Sequence, residues 1–165
     1  MVSVRSATLV LAAVVGLGAC APKVPSAAEA VAAADALDAR FLAAFNAGNI
    51  DSLLNDYWNS PELVTIGLDA MGAKGWDAAK AGYAATMQAM PGAKMEFPSR
   101  NNQAFGDFVI GHGTWKVTIP AEKGPPTVLE GRYSDVKAYR DGKWVYVHDH
   151  ASVPLPPAPP APAKK

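Results

Sequence analysis

The chain has 165 residues and a mass of 17.2 kDa, which suffices for one well-buried domain and is too short for two ordinary ones once its ends are set aside. Half of the residues are hydrophobic and 18% are charged, a composition that excludes a disordered tail or a coiled coil. The 15 basic and 15 acidic side chains balance, which argues against a nucleic-acid-binding protein, and the single cysteine excludes an internal disulfide.

Residues 1–19 have the features of an export signal. Arg5 supplies a positive start, and residues 7–19 are apolar apart from Thr8. This apolar stretch is shorter than the roughly 20 residues that a membrane-spanning helix needs. We therefore expect the segment to direct export and not to remain as a transmembrane anchor.

The end of this segment resembles the lipobox of bacterial lipoproteins. The residues that carry the resemblance are Leu17, Gly18, Ala19 and Cys20. It implies cleavage before Cys20, lipidation of that cysteine and, because Ala21 is not aspartate, an outer-membrane anchor facing the periplasm. The alternative is ordinary secretion, since small residues on both sides of Cys20 also fit a signal-peptidase site.

Three helices are predicted after a tether at residues 20–25. Ser26 and Glu29 have capping-box spacing, so the first helix begins there, and Gly48 is typical of its end. Asn49 caps a second, short helix that extends to Trp58. A third follows over residues 76–90, where apolar side chains recur at helical spacing.

From residue 94 onward the pattern alternates, which predicts four long strands at residues 95–105, 108–119, 128–139 and 143–152. Asp141 and Gly142 predict a tight hairpin between the last two strands. Helices followed by an antiparallel meander indicate an α+β domain over residues 26–153, with three N-terminal helices packed on a strongly curved, mainly antiparallel sheet. Residues 154–165 are rich in proline and alanine, so we expect an extended spacer, or alternatively a docking peptide.

The last two strands resemble the closing hairpin of SnoaL-like domains, which belong to the nuclear transport factor 2-like superfamily. The resemblance rests on residues 131–136, 140–144 and 147–152 and on the order of elements. It implies a cone-shaped pocket for a small molecule and a homodimer formed through the outer sheet face. Because this fold serves isomerases, dehydratases, binding modules and assembly domains, it leaves the activity open.

The comparison with one such domain, the kinase association domain, implies which side chains face the pocket. On the last strand it turns Val147, Asp149 and Ala151 inward and leaves Trp144, Tyr146, His148 and His150 on the other face. The remaining expected pocket side chains are Tyr133, Asp135, Lys137, Trp115, Val117 and, closing the mouth, Tyr57, Trp58 and Trp76. The pocket arginines of that relative are absent here, which favours a neutral or cationic ligand.

Asp135 and Asp149 are the candidate catalytic residues. Two carboxylates in a partly dry cavity can divide acid and base roles, because burial and mutual repulsion raise the pKa of one of them. The alternative is structural: Asp135 pairs with Arg132 or Lys137, and Asp149 bonds to nearby backbone.

No metal or other cofactor is expected. His112, His148 and His150 are possible ligands for zinc or copper, but no accompanying carboxylate or cysteine set has metal spacing. We expect these histidines to serve in packing or dimer contact. A Gly-x-Ser-x-Gly elbow is also absent from the sequence, which argues against a serine hydrolase.

Three functions remain open from the sequence. The first is a periplasm-facing binding module for a small neutral or cationic molecule, with Tyr57, Trp58, Trp76, Trp115 and Tyr133 as ligand contacts. The second is an isomerase or dehydratase that uses Asp135 and Asp149. The third is an envelope assembly protein that binds through the outer sheet face and the proline-rich tail.

Overall fold

A computed structural model describes residues 25–68 and 72–154. The predicted export signal, Cys20 and the proline-rich tail beyond residue 154 lie outside the described residues. Within them, no helix combines the length and apolar character needed to cross a bilayer.

Helix α1 spans Ala27–Ala47 and has the predicted boundaries. The Ser26 hydroxyl accepts from the Glu29 amide, and the Glu29 carboxylate accepts from the Ser26 amide, which forms the capping box. Gly48 ends the helix with φ of 66°, a left-handed conformation that glycine adopts without strain.

Helix α2 spans Ile50–Leu54 and is shorter than predicted, while α3 spans Trp76–Ala89. Asn49 caps α2 as expected. Tyr57 and Trp58 were predicted to lie on this helix and instead follow it in extended chain. The reason is that the Trp58 amide donates to the Tyr146 carbonyl, and the Tyr146 amide donates to the Asp56 carbonyl, so the segment pairs with the sheet.

Six strands form one sheet, in the order β2-β1-β6-β5-β4-β3. The four long strands lie within one residue of their predicted limits: β3 is Lys94–Phe105, β4 Phe108–Ile119, β5 Thr127–Arg140 and β6 Lys143–Ser152. Strands β1 (Val64–Ile66) and β2 (Ala73–Lys74) are short. All neighbours are antiparallel except β1 and β6, which are parallel.

The turn between β5 and β6 forms as predicted, with φ of 50° at Asp141 and 81° at Gly142. Two irregularities bend the long strands. One shifts the register of β3 between Glu96 and Ser99, and the other shifts the β5–β6 pairing between Val136 and Lys137. Such bulges increase strand twist and curvature.

The β5–β6 irregularity also corrects one expectation about side-chain direction. Val136 pairs with His148 but Lys137 pairs with Tyr146, so Val147 is the extra residue. An extra residue reverses the alternation along a strand. As a result Tyr146 faces the interior together with Asp149, and the prediction that it shares the outer face with the histidines is wrong.

The helices cover the concave face of the sheet. The larger core cluster joins α1 side chains such as Leu37 and Phe41 to Trp115, Val117 and Tyr146 of the sheet. A second cluster packs Ala30 and Ala34 against Val109 and Trp144, which places Trp144 on the interior face as well. The predicted α+β class, with N-terminal helices on a curved and mainly antiparallel sheet, is confirmed; the sheet remains open, with β2 and β3 at its edges.

Candidate functional site

A cavity of about 490 Å³ lies between the helices and the concave face of the sheet. Its volume is within the range of small-molecule sites. Most of its surface is apolar or aromatic, and its polar side chains are few: two carboxylates, several tyrosine hydroxyls and two threonines, Thr65 and Thr86. The lining includes Phe41, Phe45, Tyr57, Leu68, Tyr83, Met90, Met95, Phe97, Trp115, Val117, Leu129, Tyr133, Asp135, Tyr146, Asp149 and Ala151.

Asp135 and Asp149 are direct cross-strand partners on β5 and β6, and both line this cavity. Partners in such positions have Cβ atoms about 5 Å apart. Two like charges at this spacing destabilise each other, unless a proton or a cation lies between them. The structure therefore brings the two predicted carboxylates together.

Asp149 is held by two tyrosines. Its Oδ2 accepts from the Tyr57 hydroxyl at 2.7 Å and from the Tyr83 hydroxyl at 2.7 Å, and the two hydroxyl oxygens are 2.5 Å apart. Burial, and then the negative charge of Asp149, raise the pKa of both tyrosines well above the ordinary value. Both hydroxyls thus stay protonated and orient the carboxylate, with Tyr57 positioned by the loop after α2 and Tyr83 by α3.

Asp135 belongs to a buried ionic cluster at the inner end of the cavity. Lys137 is fully buried, and its Nζ lies 2.7 Å from Asp135 Oδ1 and 3.0 Å from Asp38 Oδ1. It also donates to Asn102 Oδ1 at 3.0 Å. The structural alternative of a pair between Asp135 and Lys137 is present, whereas the alternative pair with Arg132 is not among the ion pairs of the described chain.

Other hydrogen bonds complete this cluster. Tyr146 donates to Asp38 Oδ1 at 2.5 Å, and Asn102 donates to Asp38 Oδ2 and to Asp35 Oδ1, each at 2.9 Å. The Arg100 guanidinium lies 3.6 Å from Asp35 and 3.9 Å from Asp38. The cluster therefore links the cavity wall to partly exposed charges on α1 and β3.

Gly111 explains how so many polar groups converge. A Cβ at this position would lie 2.5 Å from Asp135 Oδ1, 2.6 Å from Lys137 Nζ and 2.8 Å from Asn102 Oδ1. Any other residue would displace the ion pair. Glycine at this position therefore permits the close approach of polar and charged side chains from the two neighbouring strands, β3 and β5.

The pKa of Asp135 is raised to about 7. Burial is the largest cause, and the charges of Asp149 and Asp38 add to it, while Lys137 opposes it. The ammonium does not cancel the effect of burial because it is shared with Asp38. At neutral pH this carboxyl is therefore poised between its two protonation states.

Two further predicted pocket residues lie in the cavity wall. Burial raises the pKa of Tyr133, so its hydroxyl is protonated, and among the described residues this buried oxygen has no hydrogen-bond partner. Trp115 donates its indole N–H to the Arg132 carbonyl at 3.1 Å, so it offers a ligand an apolar surface. Tyr133 thus offers a ligand a buried hydroxyl that has no partner within the described chain.

Trp58 and Trp76 do not lie in the lining of the cavity, so the predicted position of these two side chains is wrong. Trp58 follows α2 in extended chain, with the Arg140 guanidinium 6.0 Å from its ring centroid. Trp76 begins α3, and the Lys80 ammonium is 5.4 Å from its ring centroid. Both tryptophans therefore contact cationic side chains outside the cavity.

The histidines lie on the outer sheet face, as expected. His112 pairs with Ser134, which pairs with His150, so a whole strand separates these two histidines. Among the described residues no three metal-ligating side chains converge.

Sequence reasoning did not assign Tyr83, Asp38 or Tyr146 to the site. One signal was available for Asp38, which stands four residues after Ala34 and three before Phe41 and therefore shares the apolar stripe of α1. A buried aspartate in such a stripe needs a partner, and that requirement points to a buried cation. Tyr83 carried no comparable signal. It lies on the apolar face of its helix, and residues on such a face ordinarily pack in the hydrophobic core.

Comparison with known proteins identifies the domain type. A family model for the SnoaL-like domain matches residues 34–156. No curated protein matches the sequence.

Several solved structures share the fold. A nuclear transport factor 2-like superfamily protein from Salmonella enterica has a TM-score of 0.70 and 19% identity, over 84% of this chain and 98% of that one. A proposed dehydratase of the same family from Streptomyces avermitilis has a TM-score of 0.67 and 15% identity, over 76% and 96% of the two chains. A protein of unknown function from Pseudomonas putida has a TM-score of 0.68 and 20% identity, over 78% and 89%. At these identities the similarity shows the fold alone.

The raised pKa of Asp135 predicts a specific pH dependence of stability. The folded protein binds this proton more tightly than the unfolded chain, whose pKa is near the ordinary 3.8. The contribution of Asp135 to the free energy of unfolding therefore falls as pH rises from about 4 to about 7, with a slope approaching about 1.4 kcal/mol per pH unit. We compare the free energy of unfolding of Asp135→Asn with that of the unsubstituted protein at each pH. This difference should favour the variant more at pH 8 than at pH 5.

Urea unfolding at several pH values measures this difference. Asp107→Asn is the matched control, since Asp107 is 52% exposed and outside the cavity, 3.6 Å from Arg140. A difference between Asp135→Asn and the unsubstituted protein that stays constant from pH 5 to pH 8 would contradict the raised pKa.

Proposed function

Because the chain belongs to the SnoaL-like domain family, and its own cavity is walled by aromatic side chains around two carboxylates, we propose that it binds a small neutral or cationic molecule there. The observation that carries this proposal is the cross-strand pair Asp135 and Asp149 at the polar end of an otherwise apolar cavity. Few polar groups in a concave apolar site are typical of small-molecule recognition.

The charges of the cavity disfavour an acidic ligand. Lys137 is the cation nearest to the cavity carboxylates, and it is already paired with both Asp38 and Asp135. An anionic ligand would face Asp149, and the lining of the cavity, as far as the structure describes it, includes no free cation to neutralise it. A neutral or cationic ligand avoids this repulsion and can bond to the free hydroxyl of Tyr133.

We further propose that the domain is exported and held at the periplasmic face of the outer membrane by lipidation of Cys20. The support is the sequence at residues 1–20, with its apolar stretch and lipobox-like end. The first helix begins at Ala27, so a short tether would join the lipid to the domain. A homodimer through the outer sheet face is part of the same proposal, supported by exposed apolar side chains such as Ile110 on that face.

The second candidate function is an isomerase or dehydratase. The observation that favours it is the contrast between the two carboxyls: Asp135 has a pKa near 7, whereas Asp149 is bonded to two protonated tyrosines. Asp149 would accept a proton from carbon next to a carbonyl, and protonated Asp135 would return one to the oxygen or the leaving hydroxyl. A proposed dehydratase shares the fold, as described above.

Native mass spectrometry of the chain extracted from its own envelope in mild detergent tests the binding function. We expect a lipidated dimer that carries one reproducible small-molecule adduct per protomer. Asp149→Asn should lose the adduct because the ligand contacts that carboxylate, and Asp107→Asn should keep it.

Repeated preparations without an adduct would contradict the binding function. A co-purified protein that disappears when residues 155–165 are removed would instead favour the envelope assembly function. A chain that retains residues 1–19 or lacks lipid on Cys20 would refute the anchor without bearing on the cavity.

Turnover of the recovered molecule distinguishes the second function. If the site performs acid and base catalysis, Asp135→Asn and Asp149→Asn should each lower kcat by roughly 10²–10⁴-fold, and Asp107→Asn should leave it unchanged. Recovery of the molecule chemically unchanged after long incubation with the unsubstituted protein would rule out catalysis on it.

A further inference from the structure

The polar end of the cavity carries more negative than positive charge. The Lys137 ammonium contacts two carboxylates, Asp38 and Asp135, and a third, Asp149, is the cross-strand partner of Asp135. Arg100 is the next cation, but it is closer to the exposed Asp35 than to Asp38 and contacts neither cavity carboxylate. Such an excess of negative charge in a largely apolar cavity is costly, and a proton or a bound cation would neutralise it.

Each cavity carboxylate has an oxygen free to accept such a cation. Both tyrosines donate to Oδ2 of Asp149, and Lys137 donates to Oδ1 of Asp135. The other oxygen of each carboxylate accepts no hydrogen bond from the described residues. Because the two residues are cross-strand partners, the free oxygens belong to neighbouring side chains on one cavity wall.

The surroundings of these oxygens suit an organic cation better than a metal ion. Hard metal ions require six or more oxygen ligands in this kind of site, and the described residues contain no group of three possible metal ligands. Aromatic rings line the same cavity: Phe97 and Tyr133 have ring centroids 4.8 Å apart, and Phe41 stacks on Phe97 at 6.1 Å. Ring faces attract ammonium groups, and the apolar wall accepts a hydrocarbon body.

We propose that the ligand of this cavity is an organic monocation, a protonated amine on an apolar body, with its ammonium group between Asp135 and Asp149. This inference rests on the proposed binding function and narrows it from neutral or cationic ligands to cationic ones. The ammonium donates to the free carboxylate oxygens. The apolar body extends along Met90, Met95 and Leu129, and the cavity volume of about 490 Å³ accommodates a molecule with one aromatic ring.

The amine and a proton compete for Asp135. The charged groups that face Asp135 are Lys137 on β5, Asp149 on β6 and Asp38 on α1, and their balance with burial raises the pKa of Asp135 to about 7.

The neutral groups around Asp135 remain neutral over this range. They are the amide of Asn102 on β3 and the hydroxyls of Tyr133 on β5, Tyr146 on β6 and Tyr83 on α3; each of these tyrosines has a raised pKa through burial. Amine affinity should therefore rise with pH through about 7 as Asp135 loses its proton, up to the pKa of the amine itself, near 10.

Three probes with the same phenylbutyl body and different head groups test this inference: 4-phenylbutylamine, 4-phenylbutanol and 5-phenylvalerate. The full chain in zwitterionic nanodiscs is titrated calorimetrically, and the signal of empty nanodiscs is subtracted. At pH 8 we expect the amine to bind at least about tenfold more tightly than the alcohol, since a charge-assisted hydrogen bond contributes more than a neutral one. We expect the carboxylate to bind most weakly, and the advantage of the amine to shrink at pH 5.5.

Two variants show where the selectivity arises. Asp149→Asn should reduce the preference for amine over alcohol to about threefold or less, whereas Asp107→Asn, which removes an exposed carboxylate outside the cavity, should retain it. Asp135→Asn should abolish the pH dependence between 5.5 and 8.

Equal affinity for amine and alcohol would overturn the inference and leave the binding function intact. Tighter binding of the carboxylate would overturn it as well. If none of the three probes binds and native mass spectrometry finds a neutral or acidic adduct, the preference for cations is refuted and the binding function stands. Failure of the probes with no adduct would refute the binding function too.

Discussion

The Lys137 ammonium is fully buried between Asp38 and Asp135, and it joins helix α1 to the sheet at the inner end of the cavity. A buried ion is tolerated only when it is paired and hydrogen-bonded. This requirement constrains the positions of the polar side chains around Lys137. Asn102 and Tyr146 form hydrogen bonds within the same cluster. Gly111 has no side chain and so leaves room for the cluster. Because one ammonium serves two carboxylates, the negative charge on the cavity side is left only partly neutralised.

The arrangement of β6 and of the two tyrosines places this negative charge at the cavity, where a ligand can reach it. The β5–β6 irregularity lets Tyr146 reach Asp38 and Asp149 face the cavity from the same strand. Tyr57 and Tyr83 hold Asp149 from two other elements and donate to only one of its oxygens. The cavity thus combines fixed carboxylates with an apolar aromatic wall, an arrangement that serves both cation binding and proton transfer. The two functions differ in whether a ligand or a proton neutralises the pair.

Local rules made the fold predictable from the sequence. The capping box at Ser26, the glycine at position 48 and the turn at Asp141 and Gly142 each depend on neighbouring residues only. The inward position of Asp135 was predicted by the resemblance together with undisturbed alternation along β5, and Tyr57 lines the cavity as predicted although it lies in a loop and not on a helix. Val147 interrupts that alternation on β6, so Tyr146 was misplaced, and pairing with the sheet drew Trp58 away from the predicted helix. Such effects depend on contacts between distant residues, which a pattern along one chain does not contain.

Direct titration of the Asp135 side-chain carboxyl by carbon-13 NMR tests the central claim that a buried, incompletely neutralised carboxyl lines this cavity. The spectrum of the unliganded protein is followed from pH 3 to pH 9, and the resonance is assigned with Asp135→Asn. We expect a midpoint near pH 7, set by burial and by the charges of Asp149 and Asp38. A midpoint near 4, together with the surface carboxylates, would contradict it, because Asp135 would then be an ordinary ion-pair partner of Lys137.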